Sequence, residues 1–174
     1  SIFLLSRMWQ RADSVIVISE SIKDWLSELN YKIKPVVIPY GIVMPEKVAS
    51  ESSEGVSFGY LGRLNVNKGV EDLVTIFLDV SNEIKSLNKL ELNIGGVGSQ
   101  SYEKKLKQLS KGGDINFLGY VSDRESFFNS INFFVFPSYS EGLGLVLLEA
   151  MSNGVVCLTR DIDPMNKIIS HGIN

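Results

Sequence analysis

The sequence predicts an α/β domain in which a parallel sheet carries helices on both faces. Three observations predict it. Short β-branched or aromatic runs recur along the chain, such as INFFVF at 131–136. These runs are apolar almost throughout rather than alternating, as strands covered on both faces are. Longer segments of mixed polar and apolar periodicity separate them, which is the pattern of crossover helices between parallel strands.

The first strand is VIVIS at 15–19, followed by a helix at 21–29 and a strand, PVVIP, at 35–39 that ends in the turn Tyr40-Gly41. This single βαβ unit is too small to close a core of its own. MPEKVASESSEGV at 44–56 is polar and aperiodic and reads as a linker or surface loop. The regular alternation starts after it. VSFGYL at 56–61 is a strand, and about 68–86 a helix with Asn67 as its N-cap. LELNI at 90–94 is a strand, and 101–111 a helix stopped by Gly112 and Gly113. INFLGYV at 115–121 is a strand, and Asp123 caps a short helix through about 130. The strand 131–136 is ended by Pro137. Residues 142–152 form a helix, 155–159 a strand and 163–170 a last short helix. The order is that of a doubly wound, Rossmann-like sheet, whose ligands bind at the carboxyl ends of the strands.

Composition excludes several classes. The chain has 174 residues, 44% hydrophobic and 21% charged, as a soluble globular domain has. A net charge of −3 gives no general attraction to nucleic acid or to an anionic membrane. The apolar runs are too short to span a bilayer. The opening SIFLLSRMWQRAD is interrupted by Arg7 and Arg11 and has no small-residue cleavage site, so it does not read as a signal peptide. Cys157 is the single cysteine, in the apolar run VVCLT, and reads as a buried reduced thiol in a reducing, cytoplasmic setting. His171, the single histidine, reads as a surface loop residue. One His and one Cys argue against a zinc site or a nucleophile–histidine relay. Trp9 and Trp25 read as packing residues of the first unit.

Two stretches carry chemistry. In YLGRLNVNKGVED, 60–72, a strand ends at Gly62 and Arg63 follows at its carboxyl end. Glu71 and Asp72 suit the positive end of the helix dipole, whereas Lys68 opposes it. A cation there is explained by an anion docked between Arg63, Lys68 and free backbone amides. Solvated surface charge is the competing reading.

In PSYSEGLGLVLLE, 137–149, Gly142 and Gly144 let backbone approach a ligand and their amides open a helix that Leu145, Val146, Leu147, Leu148, Ala150 and Met151 make apolar nearly all round. Glu141 stands at the helix mouth, and Glu149 eight residues on. Along a helix that is roughly 12 Å, too far for two carboxylates to share a proton or act as a glycosidase pair. Such acids suit hydroxyl groups at two ends of an extended ligand. The competing reading makes Glu141 a cap and Glu149 part of a wet stripe with Ser152. GGVGSQ at 95–100 lacks dinucleotide spacing and reads as a plain βα turn. Gly119 and Tyr120 sit at a strand's carboxyl end, where a base or sugar can stack, or where Tyr120 covers the sheet edge.

Together these residues resemble the retaining GT-B glycosyltransferases of the group 1, or family 4, type. LGRLNVNKG is similar to that family's G-R-L…K-G phosphate motif, and PSYSEGLGLVLLEAMSNGVVCLT to its E-x7-E segment. INFLGYVSD resembles the strand near the nucleotide base, and ADSVIVISESIKDWL with VVIPYGI resembles the end of the N-terminal domain and its hinge. The resemblance implies a GT-B C-terminal domain at 56–174, a linker at 44–55, and at 1–43 the last piece of an acceptor domain.

It also implies a site for a UDP-, GDP- or ADP-sugar. Arg63 and Lys68 would hold the diphosphate, Glu141 the sugar and Glu149 the ribose hydroxyls. Amides of Gly142, Leu143, Gly144 and Leu145 would meet sugar and phosphate, with Gly62, Gly119 and Tyr120 lining the donor site. Transfer would retain anomeric configuration by a front-face route, without metal or other cofactor, onto a glycan or lipid-linked acceptor.

Val43 stands where the family's hinge carries an acid, and the chain reads as incomplete at both ends. Alone it is expected to bind donor with little or no turnover. Contact with a membrane face would come through the missing domain, and the exposed first unit favours a partner subunit or self-association. The alternatives are a non-catalytic binding or assembly subunit of a split enzyme, and a GT-B epimerase or phosphorylase.

Overall fold

The fold is given by a computed structural model, which describes residues 11–29, 34–45, 55–84 and 89–172. Two sheets are present, both parallel. In the first unit β1 (Ile16–Val17) pairs with β2 (Val36–Val37), joined through helix α1 (Glu20–Glu28). The Ser19 hydroxyl caps α1 by accepting from the Ile22 amide. With only two short strands to pack on, α1 buries Leu26 alone. Trp25 is 46% exposed, so it is not the packing residue expected, and Trp9 lies outside the described residues.

The second sheet holds β3 (Val56–Leu61), β4 (Leu90–Gly95), β5 (Ile115–Gly119), β6 (Phe133–Phe136) and β7 (Val156–Thr159). Their spatial order is β5-β4-β3-β6-β7, so the chain winds one way from β3 and then crosses to its other side. The switch point lies between β3 and β6, where an open α/β sheet forms its ligand crevice.

Helices cover both faces, as the continuous apolar strands require. On one face, Tyr60, Leu92 and Ile94 meet Val70, Val74 and Phe77 of α2 (Val70–Glu83) and Leu106 of α3 (Gln100–Leu109). On the other, Phe134 and Phe136 meet Phe127 and Phe128 of α4 (Arg124–Asn129), Leu147 and Ala150 of α5 (Leu145–Ser152), and Met165 of α6 (Met165–Ile168). The period of two along β6 sends neighbours to opposite faces: Phe133 stacks on Phe58, and Phe134 meets Phe128 edge-on. Gly59 leaves room for this second cluster, since a Cβ there would lie 2.5 Å from Ile131 Cδ1.

Element order follows the expectation, and several boundaries do not. Asn67 is not a cap. It lies inside a 3₁₀ turn, Val66–Lys68, and α2 starts from Gly69 with φ +67°. A Cβ on Gly69 would lie 2.3 Å from the Pro137 carbonyl oxygen, so the close approach of the next loop sets this cap. Strand β5 stops at Gly119, also at φ +67°, two residues short of the expectation. Helix α5 starts at Leu145, not 142, because Gly144 takes the left-handed conformation. Ser152 is buried, so it forms no wet stripe with Glu149. Most of the expected linker lies outside the described residues.

Candidate functional site

The site grows from the carboxyl ends of four adjacent strands. Three of them end in glycine turns held together by backbone bonds. The Gly62 amide donates to the Gly95 carbonyl at 3.0 Å, and the Gly96 amide to the Gly119 carbonyl at 2.6 Å. A Cβ on Gly96 would fall 1.8 Å from the Gly62 oxygen, so only glycine fits. Buried Tyr60 donates its hydroxyl to the Arg63 carbonyl at 3.0 Å, bracing the turn after β3. Desolvation, with Glu141 nearby, raises the Tyr60 pKa and keeps it a donor.

The fourth strand, β6, delivers the loop carrying Ser138 and Glu141. Ser138 is fully buried and donates to Glu141 Oε1 at 2.7 Å. Lys68, on the 3₁₀ turn after β3, donates to the same oxygen at 2.5 Å. Glu141 Oε2 takes no bond among the described residues. An ammonium has three hydrogens, so Lys68 keeps donors for an anion while Glu141 keeps an acceptor for a hydroxyl. The two loops are fixed to each other: the Tyr139 amide donates to the Asn67 carbonyl at 2.9 Å. Below them Arg160 pairs with Asp72, donates from Nε to the Pro137 carbonyl at 2.7 Å and lies 4.1 Å from the Tyr139 ring centroid.

These walls enclose a cavity of about 720 Å³ at the switch point. Gly62, Arg63 and Lys68 line it from the β3 side, and Glu141, Gly144, Leu145 and Glu149 from the β6 side. Tyr120 faces it from the end of β5. Gly119, Gly142 and Leu143 do not line it, and Gly142 instead faces Ile18 and Ile22 of the first unit. Glu141 precedes the helix, so helical rise does not set its distance from Glu149. Three cations, Arg63, Lys68 and Arg124, face two carboxylates there. The open amides at the start of α5 add to the positive side. A chain of net charge −3 thus concentrates positive potential at one crevice. Among the described residues the Arg63 guanidinium has no partner, which leaves it available to an anion.

Sequence reasoning missed several contributors. GGVGSQ is a βα turn as read, but its Gly96 and Val97 line the cavity, as do Val121 and Val146. Arg124 lines it too and binds Glu149. A cation in a first helical turn, the signal read at Lys68, holds in the structure for Arg124 and not for Lys68, which ends a 3₁₀ turn. Cys157 is buried, and desolvation pushes its thiol up to about 12. His171 is exposed. Among the described residues, no helix is long and apolar enough to cross a membrane.

Fold and crevice define a doubly wound domain whose switch point sets three cations and a helix start beside two carboxylates. The chain belongs to the family described as glycosyl transferases group 1, whose pattern matches residues 55–174. It is 28% identical to the Staphylococcus aureus capsular polysaccharide biosynthesis glycosyltransferase CapM, over 87% of this chain and 44% of that protein. It is 26% identical to the alpha-monoglucosyldiacylglycerol synthase of Streptococcus pneumoniae, over 97% of this chain and 42% of that one. The chain therefore spans less than half the length of either relative. Its fold superposes on Anabaena HepE, solved in complex with UDP-glucose, with a TM-score of 0.83 and 20% identity, covering 98% of this chain and 51% of that one.

Proposed function

We propose that this chain is the donor-binding part of a retaining glycosyltransferase that takes a sugar from a nucleoside diphosphate. One observation carries the reading. A single crevice at the sheet's switch point brings a paired lysine–glutamate, a free arginine, a helix start and a second glutamate around one cavity. The diphosphate lies against Arg63, Lys68 and the α5 amides. The sugar meets the open Oε2 of Glu141, and the ribose meets Glu149. As the bond between the sugar's anomeric carbon and the diphosphate oxygen breaks, its electron pair stays on the diphosphate. Cations and helix amides stabilise that charge, so no metal is required. The acceptor hydroxyl bonds to the same face of that carbon, and its proton passes to the departing phosphate oxygen.

The acceptor is a glycan or a lipid-linked molecule, in line with the polysaccharide and glycolipid named for the relatives above. Residues 1–43 are the end of an acceptor-binding domain, 44–55 a linker and 56–174 the donor domain. The protein works in the cytoplasm, at a membrane face where its acceptor is lipid-linked. The first unit leaves Ile16, Val36 and Ile38 exposed, which favours association with the rest of that domain or with a partner subunit.

Calorimetric titration with UDP-, GDP- and ADP-sugars tests the reading. Binding by one of them, lost in Glu149→Ala and Arg63→Ala, supports it. No binding by any of the three favours a scaffold that keeps the fold without a donor.

A further inference from the structure

Arg124 is the first residue of α4, directly after the Asp123 cap. Its Nη1 donates to both carboxylate oxygens of Glu149, at 2.7 Å each. A cation in a first helical turn opposes the helix dipole. An exposed ion pair returns no more than that cost. The Arg124 side chain is 53% exposed and that of Glu149 29%, so stability gives no net reason for an arginine here. The geometry gives one. A single nitrogen bonded to both oxygens anchors the carboxylate head in the cavity wall. Each oxygen keeps a further lone pair, so two acceptors are held side by side at one place. That is the array a vicinal diol requires, one hydroxyl to each oxygen.

We propose that Arg124 is a positioning residue for the ribose diol, acting by orienting Glu149. This rests on the nucleotide-sugar reading above. Without Arg124 the carboxylate swings among its rotamers, and the diol has to order it on binding. Lysine at this position also offers a single nitrogen, but on a more flexible stem that holds the carboxylate less firmly.

The test compares UDP, GDP and ADP with their 2′-deoxy counterparts by calorimetric titration of the intact chain. In Arg124→Ala the dissociation constant of the ribonucleotide that binds should rise about 5–10-fold, the scale of one ordinary hydrogen bond. The 2′-deoxy form should change less than about 2-fold, having lost one of the hydroxyls that the oriented carboxylate serves. Arg124→Lys should recover part of the loss. In a Glu149→Gln background, removing Arg124 should have no further effect. Equal weakening of both nucleotide forms, or weakening of neither, overturns the role of Arg124 and leaves the donor site standing. Failure of all three ribonucleotides to bind the unmodified chain overturns the donor site itself, and this role with it.

Discussion

Lys68 and Glu141, 73 residues apart, form a largely buried ion pair with Nζ 2.5 Å from Oε1. The pair ties the loop after β3 to the loop after β6, across the point where the sheet reverses its winding. It gives the cavity a donor and an acceptor side by side, and the two should separate on mutation. Lys68→Ala should weaken nucleoside diphosphate binding at least about tenfold, the value of a charge-assisted bond to phosphate. Glu141→Gln should leave that affinity within about threefold, since it removes a carboxylate that repels the anion while loosening the lysine. On the donor-site reading proposed above, the same variant should lower kcat of the full-length protein by about 10²–10³. Titration and steady-state rates check the two halves. An equal loss of nucleotide affinity in both variants would sink the assignment.

Gly96 should tolerate no side chain. Its φ of +139° belongs to a region almost restricted to glycine, and a Cβ would sit 1.8 Å from the Gly62 carbonyl oxygen. Gly96→Ala should cost about 2–4 kcal/mol, strain and clash together. Gly112, at φ +97° with open space around it, is the control, and Gly112→Ala should cost about 1 kcal/mol. Urea unfolding of both variants measures the difference.

Gly59 tests the packing of the second core. Its missing Cβ leaves room for Ile131 and Phe127 against β3. Gly59→Val should overpack the layer and destabilise by about 1–3 kcal/mol. Pairing it with Ile131→Ala should recover part of that loss, because the two changes share one space.

Cys157 makes stability fall in alkali. Burial lifts its thiol from 9.0 to about 12 in the folded state. The unfolded chain therefore releases this proton first as pH rises. The stabilising contribution is fully present below the unfolded value and is lost as pH rises through the folded one. Urea midpoints should drop between about pH 9 and 12, and Cys157→Ala should make that slope shallower. A thiol reagent should modify Cys157 only as fast as the chain opens.

Much of this fold is legible in local sequence. INFFVF and VSFGYL are strands because a run without polar positions has to be covered on both faces, and that requirement alone implies a parallel sheet with helices on either side. Glu141 and Glu149 were legible as two acids flanking an apolar helix, whereas Lys68 was singled out on a helix-dipole conflict that the structure removes, since it ends a 3₁₀ turn before the Gly69 cap. The first unit was legible as a unit, but Trp25 was misread, since burial depends on what stands opposite a helix.

The sequence by itself determined the order of elements, the parallel sheet and about half of the residues of the crevice, because periodicity and turn chemistry act within a few positions of one another. Only the tertiary structure decided the pairing of Lys68 with Glu141, the clasp of Arg124 on Glu149, and the place of Gly96 in the floor. Each depends on which strand ends lie side by side. The order β5-β4-β3-β6-β7 brings together loops separated by tens of residues. It follows from packing two apolar layers at once, and no local pattern records it.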